Sequence, residues 1–517
     1  MSTLHSQKLK GLVAATLSAI VGPLLAFEPK VGGVRNGAVF LGSAIASQPI
    51  LEPAAQPTVQ AANRNTADIT IADIQIRLVD ESGTPQPIAS SYGFRQALDL
   101  HTGDPYDSQV AKASLAKVKD FAEQVTLTTE PTADPQRIVL VITAERPNKL
   151  FYGFGRFPEP TALRGPLRPD VTDTVSNRAV GFSIGAYGGL ADNGNSNQSV
   201  AVGIVGGVNA LGLELDYTYQ LDERSGLAAN FANQRGVETE FDNGKINTDT
   251  PNGADPWVHR LGGGVEYFRE ISPALSGAVG LSYQRITVRD DIFSDNTFAL
   301  DELGNPLTVS DSGADDLLTI NLVGDLDYRD NPIDPGRGSR LLFGMDQSIP
   351  VGNASIFFNR ISANYTYFMP LNLFGFVAGN RTLVLNAQGG TILGDAPPYE
   401  TFSLGGPNSI RGYERGEVSS GRSFLQATAE YRFPIANFSA LRQDINLGGT
   451  LFTDFGSDLG SGSTVIGTPA ESRDKPGSGF GGGFGLRAVT GFGTGRAELG
   501  INDQGDINVL FSVGDRF

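Results

Sequence analysis

The sequence contains no cysteine, and this absence excludes disulfide bonds, thiolate metal sites and cysteine nucleophiles. Only three histidines are present, His5, His101 and His259, and they lie far apart in the chain. A histidine metal site or a serine–histidine–aspartate triad is therefore not expected. We therefore expect no metal site.

Positive charge is also scarce. The chain has 39 lysines and arginines against 56 aspartates and glutamates, which gives a formal net charge of −17. A nucleic-acid partner favours a basic surface, so we do not expect one. The acidic balance suits a soluble or an envelope protein with acidic loops.

Tryptophan occurs once, whereas glycine occurs 65 times and phenylalanine 30 times. Such a composition, with little helical periodicity over most of the chain, indicates an all-β protein. Aromatic residues are also typical of the two interfacial girdles of a membrane β-barrel.

The first 46 residues have the features of a secretory signal peptide. Lys8 and Lys10 precede an almost uncharged apolar run that extends from residue 11 to residue 27, and Ala44-Ile45-Ala46 has the small-x-small form of a cleavage site. A single membrane-spanning helix is the alternative, since the run is nearly long enough. We prefer the signal peptide, with cleavage after Ala46, and predict that residues 47–67 form a disordered linker.

Residues 68–148 are predicted to form a small α+β domain. The segment "ADITIADIQIRLVD" alternates apolar and polar residues like a strand, and "EQVTLTTE" and "RIVLVITAE" are two further strand candidates. Between them, "YGFRQALDL" and a segment that begins at Asp107 or Ser108 are helix candidates. The predicted order of elements is β-α-α-β-β.

From residue 149 to residue 517 the chain is a series of strand-like segments separated by glycine, asparagine, aspartate and proline. Segments such as "LELDYTY" and "ISANYTYF" have one apolar and one polar face, which fits either a soluble sandwich or a transmembrane barrel. Aromatic residues at the ends of the apolar faces, and full charges in mid-strand on the polar faces, favour the membrane. We predict a transmembrane antiparallel β-barrel of about sixteen strands.

The final segment, "INVLFSVGDRF", is predicted to be the last strand. Its apolar residues include Phe511, Val513 and Phe517, and it ends in phenylalanine. Outer-membrane barrels of bacteria commonly end in this way, because the assembly machinery recognises the last strand. We therefore predict that these three residues form a terminal assembly signal.

The segment "GGPNSIRGYERGE" lies between two predicted strands that place charged groups in the lumen. Alternation in "SFLQATAEYRF" turns Glu430 inwards, and alternation in "INLGGTLFTDFG" turns Phe452 and Asp454 inwards. If Arg411 of the loop entered the lumen, it could pair with Asp454 and stack on Phe452. The pattern alone supports equally well a loop that is exposed to solvent.

The residues Ile410-Arg411-Gly412-Tyr413 resemble the Val/Ile-Arg-Gly-Phe/Tyr signature of the BamA/TamA outer-membrane assembly superfamily, also called the bacterial surface antigen family. "LFTDFGS" matches the Phe-x-Asp-x-Gly pattern of that family at Phe452, Asp454 and Gly456, and Glu430 occupies its acidic position. The resemblance implies that the loop folds into the barrel and that these four residues hold it there.

Residues 68–148 are similar to one POTRA domain, whereas well-known assembly members carry three to five of these domains. The resemblance implies a barrel that inserts β-barrel proteins into the outer membrane of a diderm bacterium. It further implies that the protein uses no covalent chemistry and no cofactor, and is not an enzyme. Its POTRA domain would lie in the periplasm, bind unfolded barrel or secreted polypeptide clients, and meet accessory periplasmic proteins. A polypeptide exporter of the two-partner-secretion type and a diffusive pore are the alternatives.

Overall fold

The computed structural model describes the following residues: 69–79, 85–86, 104–108, 110–111, 124–132, 134–145, 150–155, 183–191, 198–222, 224–272, 274–330, 334–440, 443–490, 493–513 and 516–517. The predicted signal peptide and linker lie outside these residues. So do the first helix predicted for residues 68–148 and most of the second.

Residues 70–145 contribute a four-stranded sheet with the order β2-β1-β4-β3. Strands β1 and β4 are parallel, and the other two pairs are antiparallel. Ile71, Ile74, Leu140 and Ile142 form the buried core on one face. The strand bounds are Thr70–Val79 for β1, Pro85–Gln86 for β2, Gln124–Pro131 for β3 and Arg137–Glu145 for β4. The three predicted strands are therefore present, and the assignment as a POTRA domain stays a prediction.

Strands between residues 150 and 513 form a 16-stranded sheet in which neighbouring strands are antiparallel, and the predicted barrel architecture is confirmed. Its strands are β5 Leu150–Gly155, β6 Ser183–Ala191, β7 Gln198–Gly207, β8 Ala210–Asp222, β9 Ser225–Val237, β10 Trp257–Ser272, β11 Leu275–Arg289, β12 Ala314–Asp327, β13 Gly338–Ile349, β14 Phe358–Pro370, β15 Thr382–Gly394, β18 Ser423–Ala440, β19 Gln443–Ser457, β20 Ser478–Thr490, β21 Gly493–Asn502 and β22 Ile507–Val513. Strands β5 and β22 are the two edges of the sheet, and no pairing joins them within the described residues.

The longest connections between these strands lie at one end of the sheet. The long connections 238–256, 290–313, 395–422 and 458–477 lie at one end of the sheet, which we call the long-loop end. The connections 223–224, 273–274 and 371–381 lie at the other, the short-turn end. Connection 395–422, here called the long loop, joins β15 to β18 and contains a small hairpin of β16 (Phe402–Leu404) and β17 (Ser419–Gly421).

Helical structure within the described barrel residues is limited to short turns at the long-loop end. These turns are Thr239–Phe241, Pro398–Glu400, Gly462–Thr464 and Pro469–Ser472. No helix in the described part of the chain has both the length and the apolar character that crossing a membrane requires.

Side chains alternate between the two faces of the barrel wall, as strand geometry requires. On β18 and β19, Leu425 and Leu451 are exposed on the outer face, whereas Gln426, Glu430 and Asp454 are buried on the inner face. An outer surface of exposed leucine, valine and aromatic residues suits contact with lipid.

An apolar core fills the interior at the long-loop end. It combines strand residues, such as Val258 and Ile286, with long-loop residues, such as Tyr399, Phe402 and Ile410. All five side chains are almost completely buried. The long loop therefore packs as part of the interior, and the loop residues that carry charge are fixed by this core.

Candidate functional site inside the barrel

Arg411 lies at the tip of the long loop, where the backbone turns sharply against the barrel wall. Gly412 has a φ of +106°, a conformation that glycine adopts without the steric cost of a Cβ. A Cβ at this position would also lie 2.8 Å from the backbone nitrogen of Asn502. Any larger residue would push the loop away from β21, so glycine is required here for two independent reasons.

The side chain of Arg411 is fully buried and contacts three carboxylates. Its Nε donates to Asp454 at 2.8 Å, and its Nη1 donates to Glu430 at 2.6 Å and to Glu498 at 2.7 Å. Its Nη2 and its backbone N–H also donate to Asp454, each at 3.1 Å. We call Arg411 and these three carboxylates the Arg411 site.

Phe452 forms the floor of the Arg411 site. The guanidinium carbon of Arg411 lies 3.4 Å from the centre of the Phe452 ring, which is the geometry of a cation–π contact. Phe452 is paired with Glu430 across the β18–β19 ladder, and Asp454 is paired with Thr428. The inward alternation of two neighbouring strands therefore assembles the ring and two carboxylates side by side.

The two apolar residues of the motif pack on either side of Arg411. Ile410 is buried against Gly456, where an added Cβ would approach the Cδ1 atom of Ile410 to 2.8 Å. Tyr413 is buried as well, and its hydroxyl donates to Asp503 in the connection between β21 and β22. All eight of the loop residues and partner residues that the sequence predicts thus lie together at this site.

Glycines of β20 and β21 make room for the loop. An added Cβ at Gly481 would collide with the carbonyl group of Arg411, and one at Gly500 would lie 2.5 Å from the backbone nitrogen of Gly412. The glycine-rich segment "GSGFGGGFG", most of which belongs to β20, therefore lets the backbone of the long loop approach the barrel wall closely.

Sequence reasoning missed one member of the Arg411 site, Glu498, and one residue that contacts the site, Arg516. Glu498 lies on β21, and alternation in "GRAELGI" could have turned it inwards together with Arg496, which contacts it at 3.5 Å. Arg516 follows β22, and its Nη1 donates to Asp454 at 3.1 Å. Arg516 also donates to Thr428 and to the carbonyl oxygen of Ser409 in the long loop. Two arginines thus share one carboxylate.

The residues predicted as a terminal assembly signal do not all lie on one face. Phe511 is 57% exposed on the outer face of β22, whereas the ring of Phe517 lies near the buried guanidinium groups of Arg432 and Arg516. The side chain of Val513 is outside the described residues. Residues 516–517 thus lie in the lumen, and the signalling role of the three residues stays a prediction.

A second buried cluster fixes the base of the long loop to the opposite wall. Arg260 on β10 donates to Glu238 at 2.7 Å and to Glu400 of the long loop at 3.0 Å. The hydroxyl of Tyr399 donates to Asp315 at 2.6 Å. The long loop therefore spans the interior, held by Arg260 on one side and by the Arg411 site on the other.

Burial and charge oppose each other in this loop. Burial alone would lower the pKa of Arg411, but the charges of Asp454, Glu430 and Glu498 outweigh it and raise that pKa above its ordinary value. Burial, followed by the hydrogen bond to Asp503, raises the pKa of Tyr413 above its ordinary value. Arg411 is thus charged and Tyr413 protonated at neutral pH.

Within the described residues, no group of three or more histidine, aspartate or glutamate side chains is arranged to hold a metal ion.

Curated relatives of the chain come from the chloroplast envelope. "Outer envelope protein 80, chloroplastic" of Oryza sativa subsp. japonica is 31% identical over 461 residues, which cover 87% of this chain and 63% of that protein. The protein of the same name from Arabidopsis thaliana is 28% identical over 460 residues, which cover 87% of this chain and 57% of that protein. The chain spans about three fifths of the length of these relatives.

A solved structure shares the fold. BamA from Haemophilus ducreyi lacking POTRA domains 1–3 superimposes with a TM-score of 0.50 at 12% identity, covering 85% of this chain and 83% of that one. The sequence model of the Omp85 superfamily domain matches residues 194–517, which is more than half of the chain. The resemblance to the BamA/TamA superfamily is thereby confirmed, and the chain belongs to the Omp85 superfamily.

Proposed function

We propose that this chain inserts β-barrel proteins into an outer membrane. The observation that carries the proposal is the long loop, folded into the barrel and held at two walls by Arg411 and Arg260. A loop that closes the interior leaves the barrel wall and its edge strands as the surfaces where a client strand can bind. The proposal therefore assigns the loop to support of the wall rather than to catalysis.

The sheet edges are the feature that a client would use. Strands β5 and β22 are the two edges of the sheet, and unpaired edge strands are templates for pairing with another strand. Backbone groups need partners in lipid, so a client hairpin that pairs with such an edge avoids exposing them. Strand β3 is an edge strand of the small sheet, and it offers a second surface for an extended client by β-augmentation if residues 68–148 act as a POTRA domain.

A diffusive pore fits the interior less well. An apolar core and two buried ion clusters occupy the long-loop end, whereas a diffusive channel needs a continuous water-filled lumen. A polypeptide exporter of the two-partner-secretion type is the second candidate. In an exporter, the long loop would have to leave the interior to let a polypeptide pass.

We further propose that the barrel resides in the outer membrane of a diderm bacterium, with residues 68–148 in the periplasm and accessory periplasmic proteins bound there. The predicted secretory signal supports this location. Fractionation of cells that express the full chain tests it: recovery outside the outer-membrane fraction would contradict the proposed location.

Depletion in the native host tests the proposed function. A general loss of folded outer-membrane barrel proteins is the expected result for an insertase. Loss of one secreted protein, with the barrel proteins unchanged, would favour the exporter. Reduced uptake of small solutes without either defect would favour the pore.

Reconstitution gives a second test that is independent of the host. Vesicles that contain the full chain should accelerate folding of a small unfolded barrel protein relative to empty vesicles. An Arg411→Ala chain serves as the variant and an Arg415→Ala chain as the control, because Arg415 is part of the same loop but not of the Arg411 site. Equal rates with all three chains and with empty vesicles would contradict the proposal.

A further inference from the structure

The connection 371–381 between β14 and β15 lies on the outer face of the barrel. It is the longest of the three short-turn connections named above, and its sequence "LNLFGFVAGNR" is mostly apolar. Phe374 packs against Tyr431 at a centroid distance of 5.1 Å and against Phe433 at 4.6 Å, and Phe376 packs against Phe433 at 6.1 Å. Tyr431 shares the outer face of β18 with exposed Leu425.

Backbone contacts fix the connection to an otherwise uncovered strand edge. Pairing between β15 and β18 ends at Thr382 and Arg432, and β18 continues beyond this point. The backbone N–H of Phe376 donates to the carbonyl oxygen of Pro434 at 2.9 Å, just past the last paired residue. The connection therefore covers the start of the free edge, which reduces the tendency of that edge to pair elsewhere.

Hydrogen bonds to the side chain of Tyr431 hold the connection at this position on the outer wall. Its hydroxyl donates to the carbonyl oxygen of Phe374 at 2.8 Å and accepts from the backbone N–H of Phe374 at 3.1 Å. Tyr431 is only 6% exposed, although it stands on the outer face. A phenol that faces hydrocarbon needs such partners, and the connection supplies them.

Three large apolar side chains of the connection are left uncovered. Leu373 is 64% exposed, Phe374 42% and Phe376 73%. They continue the apolar outer surface of the barrel that includes Leu385 on β15. Arg381, at the end of the connection, donates to the carbonyl oxygens of Val377 and Gly379 and adds a cation beside the aromatic residues.

We propose that the connection 371–381 is a membrane anchor that lies in the interface of the leaflet at the short-turn end. Aromatic and apolar residues next to a cation are characteristic of segments that lie at the headgroup boundary. Because Phe374 and Phe376 extend the lipid-facing wall outwards, the anchor displaces lipid beside β15 and β18. Its occupant is the bilayer that already surrounds the barrel, and not a partner protein.

Fluorescence quenching by brominated lipids tests the proposal, because the chain has a single tryptophan, Trp257. Phe376→Trp is introduced together with Trp257→Phe, and the full chain is folded into vesicles of brominated phosphatidylcholine. We expect stronger quenching by bromines near the head of the acyl chain than by bromines near its middle, and little quenching by water-soluble acrylamide. Strong quenching by acrylamide without quenching by lipid would overturn the proposal.

Two matched variants calibrate the depth. Phe455→Trp places the reporter on the exposed outer wall, farther towards the long-loop end than Leu451, the residue paired with Tyr431; bromines near the middle of the acyl chain should quench it. Phe293→Trp places it in the exposed connection 290–313 at the long-loop end, where acrylamide should quench it. Retained heat-modifiable gel mobility shows that each variant is folded. A Phe376→Trp reporter that behaves like Phe293→Trp would overturn the anchor, and one that lies between the two calibrants in depth would support it.

Discussion

Arg411 is bound by three carboxylates, and this arrangement determines how the site responds to substitution. A planar guanidinium offers five N–H donors in a fixed geometry, so one residue can serve three acceptors at once. Lysine keeps the charge but has a single point of donation on a flexible stem. The residue-scale predictions below follow from this difference.

Replacement of Arg411 by alanine should strongly destabilise the barrel. The change leaves Asp454, Glu430 and Glu498 buried with less positive charge, and breaking a buried ion pair typically costs about 3–5 kcal/mol. Arg411→Lys should be intermediate, since it retains the charge. The temperature at which the folded gel band is lost measures the effect, and Arg415→Ala, which leaves the Arg411 site intact, should shift it little. Equal shifts in all three variants would refute the argument.

Replacement of Asp454 by alanine should be at least as damaging as Arg411→Ala, because Asp454 binds both Arg411 and Arg516. Arg516→Ala should be milder, since Arg411 still neutralises Asp454. A double-mutant cycle on Asp454 and Arg516, read out by denaturant unfolding, gives their coupling energy directly. Strict additivity of the two single changes would mean that the contact contributes nothing to stability.

Alternation along β18 and β19 made Glu430, Phe452 and Asp454 predictable, because each strand fixes which residues face the lumen. It does not say which distant segment reaches a given lumenal group. Arg516 escaped detection because the predicted last strand was extended to Phe517 as one apolar face. Strand β22 instead ends at Val513, and the side chain of Arg516 is buried beside Asp454.

The connections at the long-loop end behave as one packed unit. Lys475 in the connection 458–477 donates to the carbonyl oxygen of Thr239 at 2.6 Å and to Ser420 of β17 at 3.1 Å. One buried side chain thus joins three separate connections. Its burial, and then the nearby charge of Arg473, lower the pKa of Lys475 to about 7.

The stability of this unit should depend on pH through Lys475. Its folded pKa is depressed, so the unfolded chain binds more protons than the folded chain between about pH 7 and the ordinary lysine pKa, and stability rises with pH there. The contribution is at most about 1.4 kcal/mol per pH unit. Limited proteolysis of the loops should show wild type gaining resistance relative to Lys475→Met as pH rises from neutral. Glu240, whose pKa is raised by burial, contributes an opposite trend in both chains. A constant difference across this range would contradict the prediction.

The long loop makes a second buried contact, with Arg260, that its sequence motif does not predict. The Arg-Gly-Tyr signature was predictable, but the anchorage of Glu400 by Arg260 was not. These two residues are far apart in sequence, and neither belongs to a recognisable pattern. Their contact arises because the loop must cross the interior before it reaches the Arg411 site.

The whole molecule combines a lipid-facing wall with an interior that is packed at one end. Its barrel architecture was predictable from strand alternation, since exposed apolar and buried polar faces persist over many segments. The closed long-loop end was not predictable, because its core is contributed by connections that lack any periodic pattern.

The packed interior predicts a low conductance. Planar bilayers that contain the full chain should show small currents, because the apolar core and the ion clusters obstruct the lumen. A double change of Arg260 and Arg411 to alanine should release the long loop at both walls and raise the conductance. A matched Arg415→Ala chain should remain closed. Large currents through the unmodified chain would instead favour the diffusive pore.

Partners of the Arg411 site are separated widely along the chain, from Ser409 to Arg516. Glu498 lies on β21, and Arg516 follows β22, the last strand of the sheet. The Arg411 site is therefore complete only when β21 is in place, and the long loop gains its contact with Arg516 only when residue 516 is buried beside Asp454. The position of the long loop inside the barrel and the C-terminal end of the sheet thus stabilise each other.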